Sequence, residues 1–259
     1  MIFYFSATGN SEFIAEKLAK RLDENSLGDI TNLLCENKTN FNLRVDETIG
    51  FVFPIYGWSL PKIVRSFINR LKLTNYSNQY IYFVVTCGDD IGIADRHIAQ
   101  ALANIGLRID AGYSVIMPDS YICLPGFEVD SDSKRRDKYA VLNERIDHIA
   151  ADIKQRRIVM DVKHGAFAQF KTKVLGALFH RYLVTDKYFR TTDDCIKCGK
   201  CVEVCPLHNI TLTDNIEWHG NCTGCLACYH HCPTRSVRFG RFTDSKGQYL
   251  LSRYRGEIS

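Results

Sequence analysis

Over residues 1–117, short runs of β-branched and aromatic residues alternate with stretches whose apolar positions recur at helical spacing. Ile2 to Ser6 reads as a first strand. Ser11 to Leu22 follows as a helix, with Ile14, Ala15, Leu18, Ala19 and Leu22 on one side and Ser11 available as a cap. Leu27 to Leu34 is a weak second strand and Thr48 to Phe53 a strong third. Pro61 then opens a helix carrying Ile63, Val64, Phe67, Ile68 and Leu71. Tyr80 to Val85 has the uninterrupted apolar character of a strand buried on both faces. A helix from Ile93 to Leu107 precedes a fifth strand, Gly112 to Met117, which Pro118 terminates. Strands alternating with helices predict an α/β fold, a doubly wound parallel five-stranded sheet with helices on both faces.

The pattern changes near Ser131 to a charged helix expected to run to Val159, with Tyr139, Leu142, Ile146, Ile149 and Ile153 along one side. A second amphipathic run sets Phe167, Phe170, Val174, Leu178 and Tyr182 against Lys171, Lys173 and Arg181. These helices are expected to pack on the sheet or to bridge two modules. Docking of an acidic partner protein or an anionic membrane surface is the alternative.

At 259 residues, with 46% hydrophobic and 24% charged residues, the chain suits a globular protein of about two modules. No run approaches the roughly 18 apolar residues that a membrane span needs. The apolar start, Met1 to Ser6, has no basic leader and runs into a glycine turn, so a strand is expected there, not a signal peptide, and a cytoplasmic location with it. The formal net charge of +4 is uneven, with 14 basic against 7 acidic residues in 131–190. Thiolate-ligated clusters would offset it, so the basicity does not point to nucleic acid.

Cysteine changes the picture most. Eight of the eleven cysteines crowd into 195–232. Cys195, Cys198, Cys201 and Cys205 precede Pro206, and Cys222, Cys225, Cys228 and Cys232 precede Pro233, so the pattern C-x2-C-x2-C-x3-C-P occurs twice. Three cysteines at this interval wrap one face of a cubane, while the fourth reaches the neighbouring cluster. Two 4Fe–4S clusters follow, one held by Cys195, Cys198, Cys201 and Cys232 and the other by Cys222, Cys225, Cys228 and Cys205. A pair of four-cysteine zinc sites is the competing reading, but zinc needs neither the third evenly spaced cysteine nor the trailing proline. His208, His219, His230 and His231 are surplus to the ligand count. Clustered metal-type cysteines indicate a reducing compartment. The segment 193–240 resembles the bacterial two-cluster ferredoxins over both motifs, which implies one-electron carriage at low potential.

Strand one leads through Ser6-Ala7-Thr8-Gly9-Asn10-Ser11 into a helix. Backbone N–H groups, hydroxyls and a helix N-terminus without a basic side chain suit a phosphate. A Ser/Thr/Gly/Asn turn that merely caps the helix is the bland alternative. The loop resembles the flavodoxin phosphate loop, which implies that it holds the phosphate of FMN. Two more loops leave the carboxyl ends of strands three and four, where ligands bind in open α/β sheets. Pro54, Tyr56, Gly57 and Trp58 offer aromatic faces and close backbone approach to a flat ring. The resemblance implies that the Gly57 peptide turns its carbonyl to the N5–H of one-electron-reduced flavin. Thr86, Cys87, Gly88 and Asp89 form the second loop, which lacks the stacking tyrosine of many flavodoxins. Cys87 also reads as a buried small residue, and Asp89 with Asp90 as a helix entry. Cys35 and Cys123 read as free thiols.

No catalytic triad, P-loop lysine, H-E-x-x-H or strand-borne G-x-G-x-x-G occurs, so no catalytic side chain is assigned and direct NAD(P)H use is not expected. The chain resembles flavodoxin–ferredoxin fusion proteins over nearly its whole length. A flavodoxin-like FMN domain in 1–126, a helical connector in 127–190 and a small α+β two-cluster ferredoxin-like domain in 191–259 are expected. The implied function is electron transfer between the two clusters and FMN, exchanged with redox protein partners such as a ferredoxin-type donor in an anaerobic cytoplasm. A reductase of a small oxidised molecule at the flavin, or a redox sensor without turnover, is the alternative, and a homodimer is compatible with either.

Overall fold

The structure is a computed structural model and describes residues 1–258. Its centre is a parallel sheet of strands β1 (Ile2–Tyr4), β2 (Leu27–Asp29), β3 (Ile49–Pro54), β4 (Ile81–Cys87), β5 (Ala111–Ile116) and β6 (Val159–Asp161), in the order β2-β1-β3-β4-β5-β6. Side chains alternate across it as the two-residue strand period requires. Phe3, Phe5, Phe51, Phe53, Phe83 and Val85 face α2 (Lys62–Arg70) and α3 (Ala94–Ala103). Ile2, Val52, Tyr82, Val84, Tyr113 and Val115 face α1 (Asn10–Leu22) and the helix Leu142–Lys154. The strand order reverses between β1 and β3, and that crevice at the carboxyl ends of the strands is where ligands bind in such sheets.

The sheet has six strands where the sequence predicts five. The long helix predicted to reach Val159 is two helices, Asp132–Ala140 and Leu142–Lys154, and the chain then turns at left-handed Arg156 into β6, parallel to β5. Arg145 secures this edge by donating to the carbonyls of Ser114 (3.0 Å) and Asp161 (2.9 Å). The second strand is also shorter than predicted: Asp29 accepts hydrogen bonds from the Thr31 and Asn32 amides, and this cap starts the helix Ile30–Cys35.

Residues 168–182 form one helical run whose middle, Lys171–Gly176, is a π-helix. It packs on the loops of the first unit, but with the opposite face to the one its apolar stripe predicts. Small residues turn inward, because the run lies against a backbone turn: a Cβ on Gly176 would stand 2.7 Å from the Gly57 carbonyl oxygen. Thr172 accepts from the Ile93 amide at 3.0 Å. Phe167, Phe170, Val174, Leu178 and Tyr182 are left exposed.

The C-terminal region contains two small antiparallel pairs, Phe189–Thr191 with Val237–Phe239 and Ile210–Leu212 with Ile216–Trp218. Its core includes Cys201, Cys228, Cys232, Tyr229 and Phe239, and it takes in Ile122 and Cys123 from the loop after β5. The chain then returns to the first unit, where Tyr249, Leu251 and Ile258 pack with the residues of α1. The Leu251 amide donates to the Thr8 carbonyl at 2.9 Å, so this last segment straps the loop after β1. No helix among the described residues is long and apolar enough to cross a membrane.

Candidate functional site

The eight clustered cysteines surround two cavities. Cys195, Cys198, Cys201 and Cys232 line one. Cys205, Cys222, Cys225 and Cys228 line the other, beneath Phe189 and Trp218. The first three cysteines of each run therefore meet the fourth of the other run. The loops share a backbone design: Lys197 and Gly199 in the first, and Gly224 and Leu226 at the same positions of the second, all have left-handed φ between 52° and 72°. Those reversals curl each loop around its cavity. The fourth cysteines are also treated alike, since Cys205 Sγ accepts from the Asn209 amide at 3.3 Å and Cys232 Sγ from the Ser236 amide at 3.2 Å. Such N–H donors stabilise thiolate sulfur and tune the potential of a bound cluster. Among the described residues no three His, Cys, Asp or Glu side chains converge closely enough for a single metal ion. Each quartet instead rings a wider space, a donor set that fits a polynuclear cluster. Burial pushes the Cys201 and Cys222 thiols up to about 11. Thiolates there would need the positive charge of a bound metal centre to be stable.

A third cavity opens at the carboxyl ends of β1, β3, β4 and β5. Ser6, Thr8, Asn10 and Ser11 line one side, with Pro54 and Tyr56 from the loop after β3, and Thr86, Cys87 and Gly88 from the end of β4. The first loop is pre-organised: Gly9 has φ +97°, its amide donates to Ser6 Oγ at 3.1 Å, and α1 starts at the next residue. Asn10 is a strut, donating to the Pro118 carbonyl (3.0 Å) and accepting from the Tyr249 hydroxyl (2.6 Å). Ser11 Oγ lies 2.7 Å from Thr86 Oγ1, tying the first loop to β4. Thr8 is buried, its side chain makes no hydrogen bond among the described residues, and it faces the cavity with the amides of the helix start. Hydroxyls and a helix N-terminus suit a phosphate, and the Tyr56 ring suits a flat apolar group, so the lining fits FMN.

Gly57, Trp58 and Asp89 do not line this cavity. Gly57 and Trp58 are the left-handed corner of a two-residue turn closed by reciprocal Tyr56–Ser59 backbone hydrogen bonds. The Gly57 carbonyl faces Gly176, and the ring of Phe179 occupies the space a Gly57 side chain would need. The Trp58 indole donates to Asp90 Oδ1 at 3.1 Å, and Lys171 pairs with the same carboxylate. Asp89 is exposed. Gly9 lines a separate cleft with Cys205 and His231. Burial pushes the Cys87 thiol up to about 12, which keeps it protonated.

Sequence reasoning missed the third wall. Asp119, Ser120 and Tyr121, after β5, line the cavity. The Tyr121 hydroxyl is buried without a hydrogen-bond partner among the described residues, an orphaned donor beside the site. Lys138 fixes this wall to the β4 loop by donating to the carbonyls of Gly88 (2.8 Å) and Met117 (3.1 Å) and pairing with Asp130 at 2.5 Å. Burial favours the neutral Asp130 acid, but hydrogen bonds from Lys134, Lys138 and the Asp119 amide outweigh it and hold the carboxyl below its ordinary range.

Gly224, Cys225 and Leu226 close the cavity from the cysteine-rich side. Cys225 thus lines both the cavity of the second quartet and that of the phosphate-type loop. The two surplus histidines of the second motif make the join. His231 Nε2 lies 3.1 Å from the Ala7 carbonyl, and His230 Nε2 lies 2.8 Å from the Ser120 carbonyl while its Nδ1 accepts from the Tyr249 amide. Burial lowers both histidines, to about 4 for His230, so each is neutral and donates from Nε2. Cys35 Sγ, 2.8 Å from His208 Nε2, adds a further contact between the units.

Residues 1–104 match the flavodoxin domain family, and residues 189–211 match the 4Fe–4S binding domain family. A flavodoxin domain followed by a 4Fe–4S binding domain defines a flavin and iron–sulfur electron-transfer protein. This order of domains is consistent with a flavodoxin–ferredoxin fusion, with the first cysteine motif inside the second match and Cys222–Cys232 beyond it. No curated relative matches the chain. Among solved structures it is similar to the Trp repressor binding protein from Bacillus subtilis, at 13% identity over 59% of this chain and 96% of that one, with a TM-score of 0.37.

Proposed function

We propose that the protein relays single electrons between two 4Fe–4S clusters and FMN and exchanges them with other redox proteins. The observation that carries this reading is the shared wall: Cys225 borders both the second cysteine cavity and the cavity of the phosphate-type loop. Electron transfer needs cofactors held close and rigidly, and His230, His231 and the C-terminal strap fix the two halves together. Flavin exchanges one or two electrons and each cubane one, so the pair suits a converter. Thr8, Ser11 and the amides at the start of α1 bind phosphate, Tyr56 and Tyr121 flank the ring, and Thr86 and Gly88 line its polar edge. In this reading residues 1–126 hold flavin, 127–190 connect, and 191–259 hold the clusters while returning a strap to the first unit.

The test is composition after anaerobic purification. About eight iron, eight sulfide and one FMN per chain are expected. Stoichiometric zinc without acid-labile sulfide, or four iron at most after reconstitution, would contradict the two-cluster assignment.

A further inference from the structure

We infer that the outer face of the helical run 168–182 is a foothold on an anionic lipid surface. Six large apolar side chains stand out from it in sequence: Phe167 is 83% exposed, Phe170 55%, Val174 42%, Leu175 41%, Leu178 49% and Tyr182 55%. The sheet and the second unit leave this stripe uncovered, while the inner face is committed to the Gly57 turn through Gly176, Phe179 and His180 and to the Gly92–Ile93 loop through Thr172. The run therefore cannot roll over to hide its stripe. Phe167, at the tip, is held in a left-handed conformation with φ 52°, which a bulky residue adopts at a cost, and it projects into solvent.

Charge selects the occupant. Lys163, Lys173, Arg181 and Lys187 are exposed around the stripe and make no ion pair among the described residues, and no acidic residue occurs between Asp161 and Asp186. Aromatic and aliphatic side chains flanked by free cations are the composition of a helix lying in the interface of an anionic bilayer. A second copy fits less well. The 15-residue run is about 22 Å long and about 10 Å wide, so a helix-on-helix contact would bury on the order of 400 Å² from both copies, against the ~1,200 Å² of a stable interface. Self-contact would also bring unpaired cations together. Lipid has no minimum area to satisfy, and its headgroups supply the missing negative charge.

Flotation of the whole, cofactor-loaded protein with vesicles tests this. Vesicles of phosphatidylcholine containing one-third phosphatidylglycerol should carry the protein at low salt and release it at high salt, and pure phosphatidylcholine should carry much less. Phe170→Ser with Leu178→Ser should weaken binding at least about tenfold. Lys173→Glu with Arg181→Glu should remove the preference for the anionic vesicles. All four positions are exposed, so flavin content and thermal unfolding should stay as in the wild type. Failure of the wild type to float, or equal flotation of the variants, would overturn the inference. So would a dimer in a solution mass measurement that Phe170→Ser with Leu178→Ser dissociates, or loss of affinity for an acidic ferredoxin with vesicle binding unchanged.

Discussion

Cys205 and Cys232 show how much a single residue's position can say. Their place after three evenly spaced cysteines, before proline, makes their exchange between motifs readable from spacing alone, and each lines the cavity of the other motif. Cys205→Ala should therefore bleach the cluster of Cys222, Cys225 and Cys228 and spare that of Cys195, as followed by anaerobic paramagnetic resonance of the reduced protein; damage confined to the Cys195 cluster would reverse the assignment. That Thr8 and Ser11 line a cavity was legible for a similar reason, because a loop between a strand and a helix needs no tertiary information. Replacing both with Ala removes two hydrogen bonds from neutral donors to a charged phosphate, about 1.5 kcal/mol each at the low end. FMN should then bind roughly 150-fold more weakly while riboflavin changes little, as measured by flavin fluorescence titration. Tyr121, Lys138, His230 and His231 were not legible as site residues. Their roles depend on which loop each meets across the molecule, and nothing local in the sequence encodes that. Lys138→Met would leave Asp130 buried without its closest partner. Lys134 and the Asp119 amide still serve Asp130, so a loss of about 1.5–3 kcal/mol is expected in denaturant unfolding, together with weaker flavin retention.

Among the elements, the strongly patterned ones, α1, α2, β3, β4 and β5, fall within a few residues of the spans their periodicity predicts. The failures have physical causes. β6 is three residues long and follows a charged helix directly, so it has no period of its own to detect. The connector misleads because amphipathicity reports that one face is apolar and not which face the protein covers. Here backbone-to-backbone approach at Gly57 outweighs apolar burial, and the small residues Thr172 and Gly176 take the inside. Gly176→Val should push the run away from the Gly57 turn and destabilise the protein by about 1–3 kcal/mol, as overpacking does. Thermal unfolding would show the loss. An unchanged melting temperature would mean that the contact is loose.

The whole molecule is less divisible than its two sequence signatures suggest. The loop after β5 enters the core of the cysteine-rich unit, and Tyr249, Leu251 and Ile258 return to the core of the sheet. Each half completes the other, which holds Cys225 at the flavin-type cavity. That interleaving comes from contacts between distant parts of the chain, so the sequence identified both modules without indicating how they meet. The most direct test of the relay is anaerobic stopped-flow mixing with a reduced, low-potential ferredoxin. The wild type is compared with a folded, FMN-loaded Cys195→Ala, Cys222→Ala variant, and flavin absorbance is followed. The account predicts rapid flavin reduction in the wild type and a severe loss of rate in the variant despite equal flavin content; a wild-type rate in the variant would show that the donor reaches the flavin without the clusters.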